Sequence, residues 1–157
     1  MTIKRTGASA GAGLPAGFPF SLASAANGIV YISGMPALGA DGKFAPGTFA
    51  EEAARAWRCV LAIAAASGCG PGDLLFVQVL LADIGDYAEL NQWWQAQFPD
   101  PAGAPARLTF QAGALPFGAK IEFQAVAATP EPGRCHAPHA GRPACGGPGP
   151  APPAPYK

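Results

Sequence analysis

Two charged residues in apolar surroundings suggest chemistry: Arg107, in Pro105-Ala106-Arg107, and Glu122, in Lys120-Ile121-Glu122-Phe123. Both lie in strand-like runs of a chain whose residues are only 13% charged. A planar guanidinium grips a carboxylate through two parallel N–H donors, and a nearby acid can position or deprotonate a water. Such a pair would hold a small carboxylic acid and deliver water to it. The same residues also fit a structural ion pair, or two unrelated charges on edge strands. If residues 107–112 and 119–128 pair as a hairpin around Ala114-Leu115, Arg107 and Glu122 stand opposite each other, with Cβ atoms roughly 5 Å apart. A slip of one residue would break that pairing.

Other residues could contribute. Gly34, after Ser33, is a glycine at a strand end, where the backbone can approach a ligand closely; the turn before Pro36 would explain it equally well. Thr109 shares a strand face with Arg107. Asn91 could orient a polar group from a helix, or be solvated. Trp93 and Trp94 are adjacent and are not both expected to face the core, which leaves one for an interface or a pocket. Both histidines, His136 and His139, fall in a region of tail-like composition, so the remainder offers none for a catalytic triad or a typical zinc centre. Cys135, His136, His139 and Cys145 have irregular spacing for a metal cluster. Cys59 and Cys69 read most simply as a helix residue and a loop residue. No Gly-x-Gly-x-x-Gly, Walker loop or Gly-x-Ser-x-Gly is present. No metal or organic cofactor is expected.

The elements that must position these residues alternate. A weak strand over residues 18–23 and a turn at Asn27-Gly28 precede the β-branched run Ile29-Val30-Tyr31-Ile32. Thr48-Phe49-Ala50-Glu51 has the capping-box pattern. The helix after it, ending near Gly68, presents Ala53, Ala54, Trp57, Val60, Leu61 and Ala64 on one face. Glu51, Glu52, Arg55 and Arg58 fall mostly on the other. Residues 74–81 read as an apolar strand covered on both faces. Asp86-Tyr87-Ala88-Glu89 resembles a second cap, opening a helix with Leu90, Trp94 and Phe98 on one stripe. The order predicts an α+β fold, one sheet with both helices on one face. The other face would be bare and apolar, so an oligomer is expected.

The chain of 157 residues fits one domain. Three segments are expected: an N-terminal extension over 1–16, a domain over 17–128, and a disordered tail over 129–157. The tail holds nine of the eighteen prolines and no Leu, Ile, Val or Phe. Residues 1–128 carry seven basic and nine acidic side chains, which does not suit nucleic acid as a partner. No run reaches the roughly 18 apolar residues of a membrane span, and no signal peptide is expected, so the cytoplasm is the expected compartment.

The ordered segments resemble the Rid/YjgF family of reactive-intermediate (enamine/imine) deaminases. They are Gly17-Phe18-Pro19-Phe20-Ser21-Leu22-Ala23, Val30-Tyr31-Ile32-Ser33-Gly34, the capped helix from Glu51, Gly72-Asp73-Leu74, Val79-Leu80-Leu81-Ala82-Asp83-Ile84, Tyr87-Ala88-Glu89-Leu90-Asn91, Pro105-Ala106-Arg107 and Leu115-Pro116-Phe117-Gly118-Ala119-Lys120-Ile121-Glu122. The resemblance implies a chorismate-mutase-like fold, a homotrimer with clefts between subunits, and hydrolysis of a 2-imino acid or its enamine to a 2-keto acid and ammonia. It implies Arg107 as the carboxylate anchor and Glu122 as the water-positioning acid. Phe20, Ser33, Gly34, Asn91 and Thr109 fall on further site positions. The sequence departs from the family pattern: Phe20 stands where Tyr is frequent, Leu22 and Met35 where Gln is frequent, and Leu108 where Ser is common. These make the expected pocket more apolar. They leave two alternatives: a non-catalytic carboxylate-binding trimer, and an enzyme specific for a larger acid.

Overall fold

The computed structural model describes residues 2–7 and 18–130. The expected tail from residue 131, with Cys135, His136, His139 and Cys145, lies outside the described residues. Six strands form one mixed sheet: β1 (Lys4–Thr6), β2 (Ala23–Ala26), β3 (Ile29–Met35), β4 (Leu74–Leu81), β5 (Ala106–Gln111) and β6 (Ile121–Ala128). Their order across the sheet is β1-β2-β3-β6-β4-β5. Helices α1 (Phe49–Ala66) and α2 (Tyr87–Gln97) pack on one face, as the alternating elements predict.

Local chemistry explains most boundaries. Asn27 and Gly28 both have positive φ, 52° and 77°, so β2 and β3 are joined by the tight turn that a right-twisted hairpin favours. The Thr48 hydroxyl accepts from the Glu51 amide, and the Glu51 carboxylate accepts from the Thr48 amide, completing the capping box. The second cap differs from expectation. Asp86 has helical backbone angles and makes no capping bond; Asp83, extended, accepts from Gly85 N–H at 2.8 Å and starts a short 3₁₀ turn that runs into α2.

The segment before β2 also differs. Residues 18–22 form no strand, and Lys4–Thr6, expected in an extension, instead pairs antiparallel with β2. The β2–β3 hairpin exposes an edge that a short stretch of chain can pair with, whatever that stretch's own apolar pattern.

The core lies between the sheet and α1. Val30 and Ile32 of β3, Val77, Val79 and Leu81 of β4, and Ile121, Phe123, Ala125 and Ala127 of β6 are buried against Ala53, Ala56, Trp57, Val60 and Ile63. Trp57 meets Trp93, Trp94, Phe98 and Phe123 edge-on, so both adjacent tryptophans pack half-buried at the core margin.

Two placements in α1 were not visible in the periodicity. Ala54 is exposed, and Glu52 is buried at 1% exposure. The Glu52 carboxylate accepts from the amides of Gly47 (3.2 Å) and Lys120 (2.8 Å) and from Lys120 Nζ (3.1 Å). It fastens the loop before α1 to the start of β6. Lys120 is half exposed, so water screens the ion pair, and the stranded amides dominate the cost of losing the acid. Glu52→Ala is expected to lower unfolding free energy by about 2–3 kcal/mol in urea titration. A loss below about 0.5 kcal/mol would contradict this role.

Candidate functional site between two faces of the sheet

The expected β5–β6 hairpin does not form. β4 lies between them, parallel to β5 and antiparallel to β6. The segment joining β5 to β6 passes the end of β4, where Ala112 N–H donates to Leu81 and Ala82 N–H donates to Lys120. Arg107 therefore stands beside Val77, which stands beside Ala125; Glu122 stands beside Leu80. Val77 is buried under the helices, whereas Leu80 alternates to the opposite side. Arg107 and Glu122 thus lie on opposite faces. Two strand spacings and three residues of offset place their backbones roughly 14 Å apart.

Arg107 sits on the edge strand beneath α2. Its Nη2 donates to Asn91 Oδ1 at 2.6 Å, and its Cζ lies 5.0 Å from the Trp94 ring centroid and 5.8 Å from that of Tyr87. Tyr87, Asn91 and Trp94 follow the i, i+4, i+7 spacing of one helix face. That spacing was available in the sequence and would have revealed the cradle. The guanidinium has five N–H donors and makes one hydrogen bond among the described residues, leaving a fork open to a planar anion. The Ile84 amide donates to the Gln111 side chain, tying the end of β5 to the start of α2. Thr109 lies on the same face, and its buried hydroxyl has no hydrogen-bond partner among the described residues.

Phe20, Ser33, Gly34 and Glu122 meet elsewhere. With Phe18, Pro36, Pro116 and Phe117 they line a cavity of about 510 Å³. The pairing of β3 with β6 shifts register between Ile32 and Met35, and Gly34 lies in that irregularity. A Cβ on Gly34 would collide with the Glu122 carboxylate and lie 3.1 Å from its Cδ. Glycine at this position makes room for the acid. Ser33 holds the preceding loop: its amide donates to Leu22 and its hydroxyl to Ser21, each at 2.9 Å. Burial pushes the Glu122 carboxyl above its ordinary value, and no ion pair within the described residues opposes this. The structure therefore divides the expected site residues into a guanidinium group (Arg107, Asn91, with Thr109 alongside) and an acid pocket (Glu122, Gly34, Ser33, Phe20).

Among the described residues, no layer covers the face carrying Glu122. Tyr31, Val126 and Phe76 form one cross-strand row, Gln124, Gln78 and Leu108 a second, and Glu122, Leu80 and Phe110 a third. Tyr31 and Leu108 are 58% and 49% exposed, so within the described residues β4 is covered on the helix side alone. Among the described residues, no group of three His, Cys, Asp or Glu could hold a metal, and no helix is long and apolar enough to cross a membrane.

Comparison with known proteins bears on what joins the two groups. The family model described as Endoribonuclease L-PSP matches residues 12–129. The human 2-iminobutanoate/2-iminopropanoate deaminase is 38% identical over 112 residues, covering 69% of this chain and 79% of that protein. The mitochondrial protein mmf2 of Schizosaccharomyces pombe is 34% identical, covering 73% and 91%. The crystal structure of E. coli TdcF with bound serine superposes with a TM-score of 0.69 at 25% identity, covering 80% of this chain and 98% of that one. By the extent of these matches and the six-stranded sheet with its two helices, the chain belongs to the Rid/YjgF family.

Proposed function

We propose that this protein is an imine deaminase: it hydrolyses a 2-imino acid, or its enamine tautomer, to a 2-keto acid and ammonia. The observation that carries the reading is the division of the site. A guanidinium held ready by Asn91 and two aromatic rings lies on one face of the sheet, and a desolvated carboxylate in an apolar pocket lies on the other. One chain cannot bring them to a single small molecule. Two copies can, if the open face of one packs beside the Arg107 edge of the next. The exposed rows around Tyr31, Leu108 and Phe110 supply an apolar surface for that packing. The assembly we propose is the homotrimer that the family resemblance implies, working in the cytoplasm. The relatives' names support the reaction, and the serine bound in the TdcF structure supports a small carboxylate ligand.

In the proposed reaction Arg107 holds the substrate carboxylate through two N–H donors, while Asn91 fixes the guanidinium plane. Glu122 takes a proton from water as the oxygen bonds to C2. The C=N electron pair moves to nitrogen, which receives that proton. The resulting carbinolamine collapses: Glu122 takes the hydroxyl proton, the C–O bond becomes C=O, and the C–N bond breaks. Ammonia leaves with the proton returned by the acid. Water is the only co-reactant. A ribonuclease role, which the family model's description names, finds less support: residues 1–128 carry seven basic and nine acidic residues and show no clustered basic face.

The direct test generates 2-imino acids of several side chains in situ with an amino-acid oxidase and catalase, and follows keto-acid release. The wild-type protein is expected to exceed the spontaneous rate for at least one of them. Arg107→Ala should lower kcat/KM about 100-fold, the order expected from a lost charge-assisted pair of hydrogen bonds. No acceleration of any imine would remove the proposal. The pH dependence carries a sign. A base acts ionised, and burial raises the Glu122 pKa, so activity should rise with pH along a limb centred above the ordinary Glu value of about 4.3. A kcat/KM profile with its limb at or below that value would contradict Glu122 as the base.

A further inference from the structure

We infer that the pocket selects imino acids with large apolar side chains, and that Phe117 is the residue that sets this preference; the inference rests on the deaminase reading of the same site. Phe117 has φ 61° and ψ 10°, in the left-handed region that a bulky residue rarely occupies. Such backbone strain persists only where surrounding structure enforces it, and it gathers at functional positions. Here Pro116 precedes it, and Gly118, at φ 71°, follows. The ring lies on Phe44 with centroids 5.9 Å apart and planes at 20°, yet it remains 62% exposed. The strained turn therefore holds an aromatic face at the rim of the cavity instead of burying it.

The rest of the cavity has the same character. Phe20, 47% exposed, lies against Phe18 with ring centroids 5.1 Å apart, and Pro36 and Pro116 complete the apolar wall. Two polar side chains line it. The Ser33 hydroxyl already donates to Ser21, and Glu122 is committed to water in the proposed reaction. A polar substituent on the substrate would find no free side-chain donor there, whereas a benzyl or branched alkyl group would meet rings and prolines.

The test compares 2-imino-3-phenylpropanoate with 2-iminopropanoate, both made in situ by a D-amino-acid oxidase with catalase, and determines kcat/KM for each. The phenyl substrate is expected to be favoured by about 10-fold or more, the range that apolar pocket contacts supply. Phe117→Gly suits the left-handed backbone and so does not endanger folding; it should cut that ratio by about 10-fold. Calorimetric titration with phenylpyruvate and pyruvate reads the same preference without turnover. Equal or tighter pyruvate binding, a ratio at or below one, or a ratio unmoved by Phe117→Gly overturns the inference. A change of oligomeric state on size exclusion, with the ratio intact, also overturns it, because the ring would then serve subunit packing. If phenylpyruvate binds more tightly and Phe117→Gly abolishes the difference, but no imine is accelerated, the pocket's selectivity stands and the deaminase reading falls.

Discussion

The position of β4 between β5 and β6 governs everything that the site can do. Side chains on neighbouring strands in register share a face, and each step along a strand reverses it. With β4 inserted, Arg107 falls in the row of Val77 and Ala125 beneath the helices, and Glu122 in the row of Leu80 and Phe110 on the open side. A direct β5–β6 hairpin would have made them an ordinary cross-strand ion pair, each cancelling the other's reactivity. Among the described residues, separation leaves the guanidinium with unused donors and the carboxyl without a counter-charge. Glu52 stands at the root of this arrangement, because it anchors Lys120 where the chain enters β6.

The two halves are prepared in different ways. Arg107 is held by attraction: one hydrogen bond donated to Asn91 and the faces of Trp94 and Tyr87 fix the fork before a ligand arrives. Glu122 is prepared by deprivation. Burial raises its pKa, and the glycine at position 34 gives its carboxylate a place in the sheet that any side chain would take. Phenylalanine at position 20 adds to the apolar surroundings where a hydroxyl would have given water another partner. An acid so treated is a stronger base when ionised, at some cost to stability at neutral pH.

Much of the fold was legible in the sequence because it rests on local signals. The Thr48 capping box, the Asn27-Gly28 turn, the apolar run of β4 and both helices are patterns within a few residues. The strand order was not legible, because short connections favour neighbours in sequence and only long-range pairing shows that β4 intervenes. Glu52 was assigned to the solvent by helical periodicity, since its partners, the amides of Gly47 and Lys120, come from segments that periodicity does not relate. For the site, residue types pointed to Arg107 and Glu122 and offered Gly34, Asn91 and Thr109 as candidates, and the family resemblance added Phe20 and Ser33. The walls formed by Phe18, Pro116 and Phe117 were missed: an exposed aromatic on a left-handed turn has no sequence pattern of its own. Tyr87 and Trp94 were within reach, at helical spacing around Asn91.

The central claim is that Arg107 of one copy and Glu122 of another act on the same substrate molecule. Mixing two inactive variants tests it most directly. Arg107→Ala and Glu122→Gln chains, unfolded and refolded together in equal amounts, should regain roughly a quarter of the wild-type deaminase rate, the share of subunit boundaries that pair both intact residues under random assembly. Each variant refolded alone should stay far below that level, Arg107→Ala at about a hundredth of the wild-type rate. Full-length assemblies that mix the two chains yet recover no activity would contradict a site shared between copies.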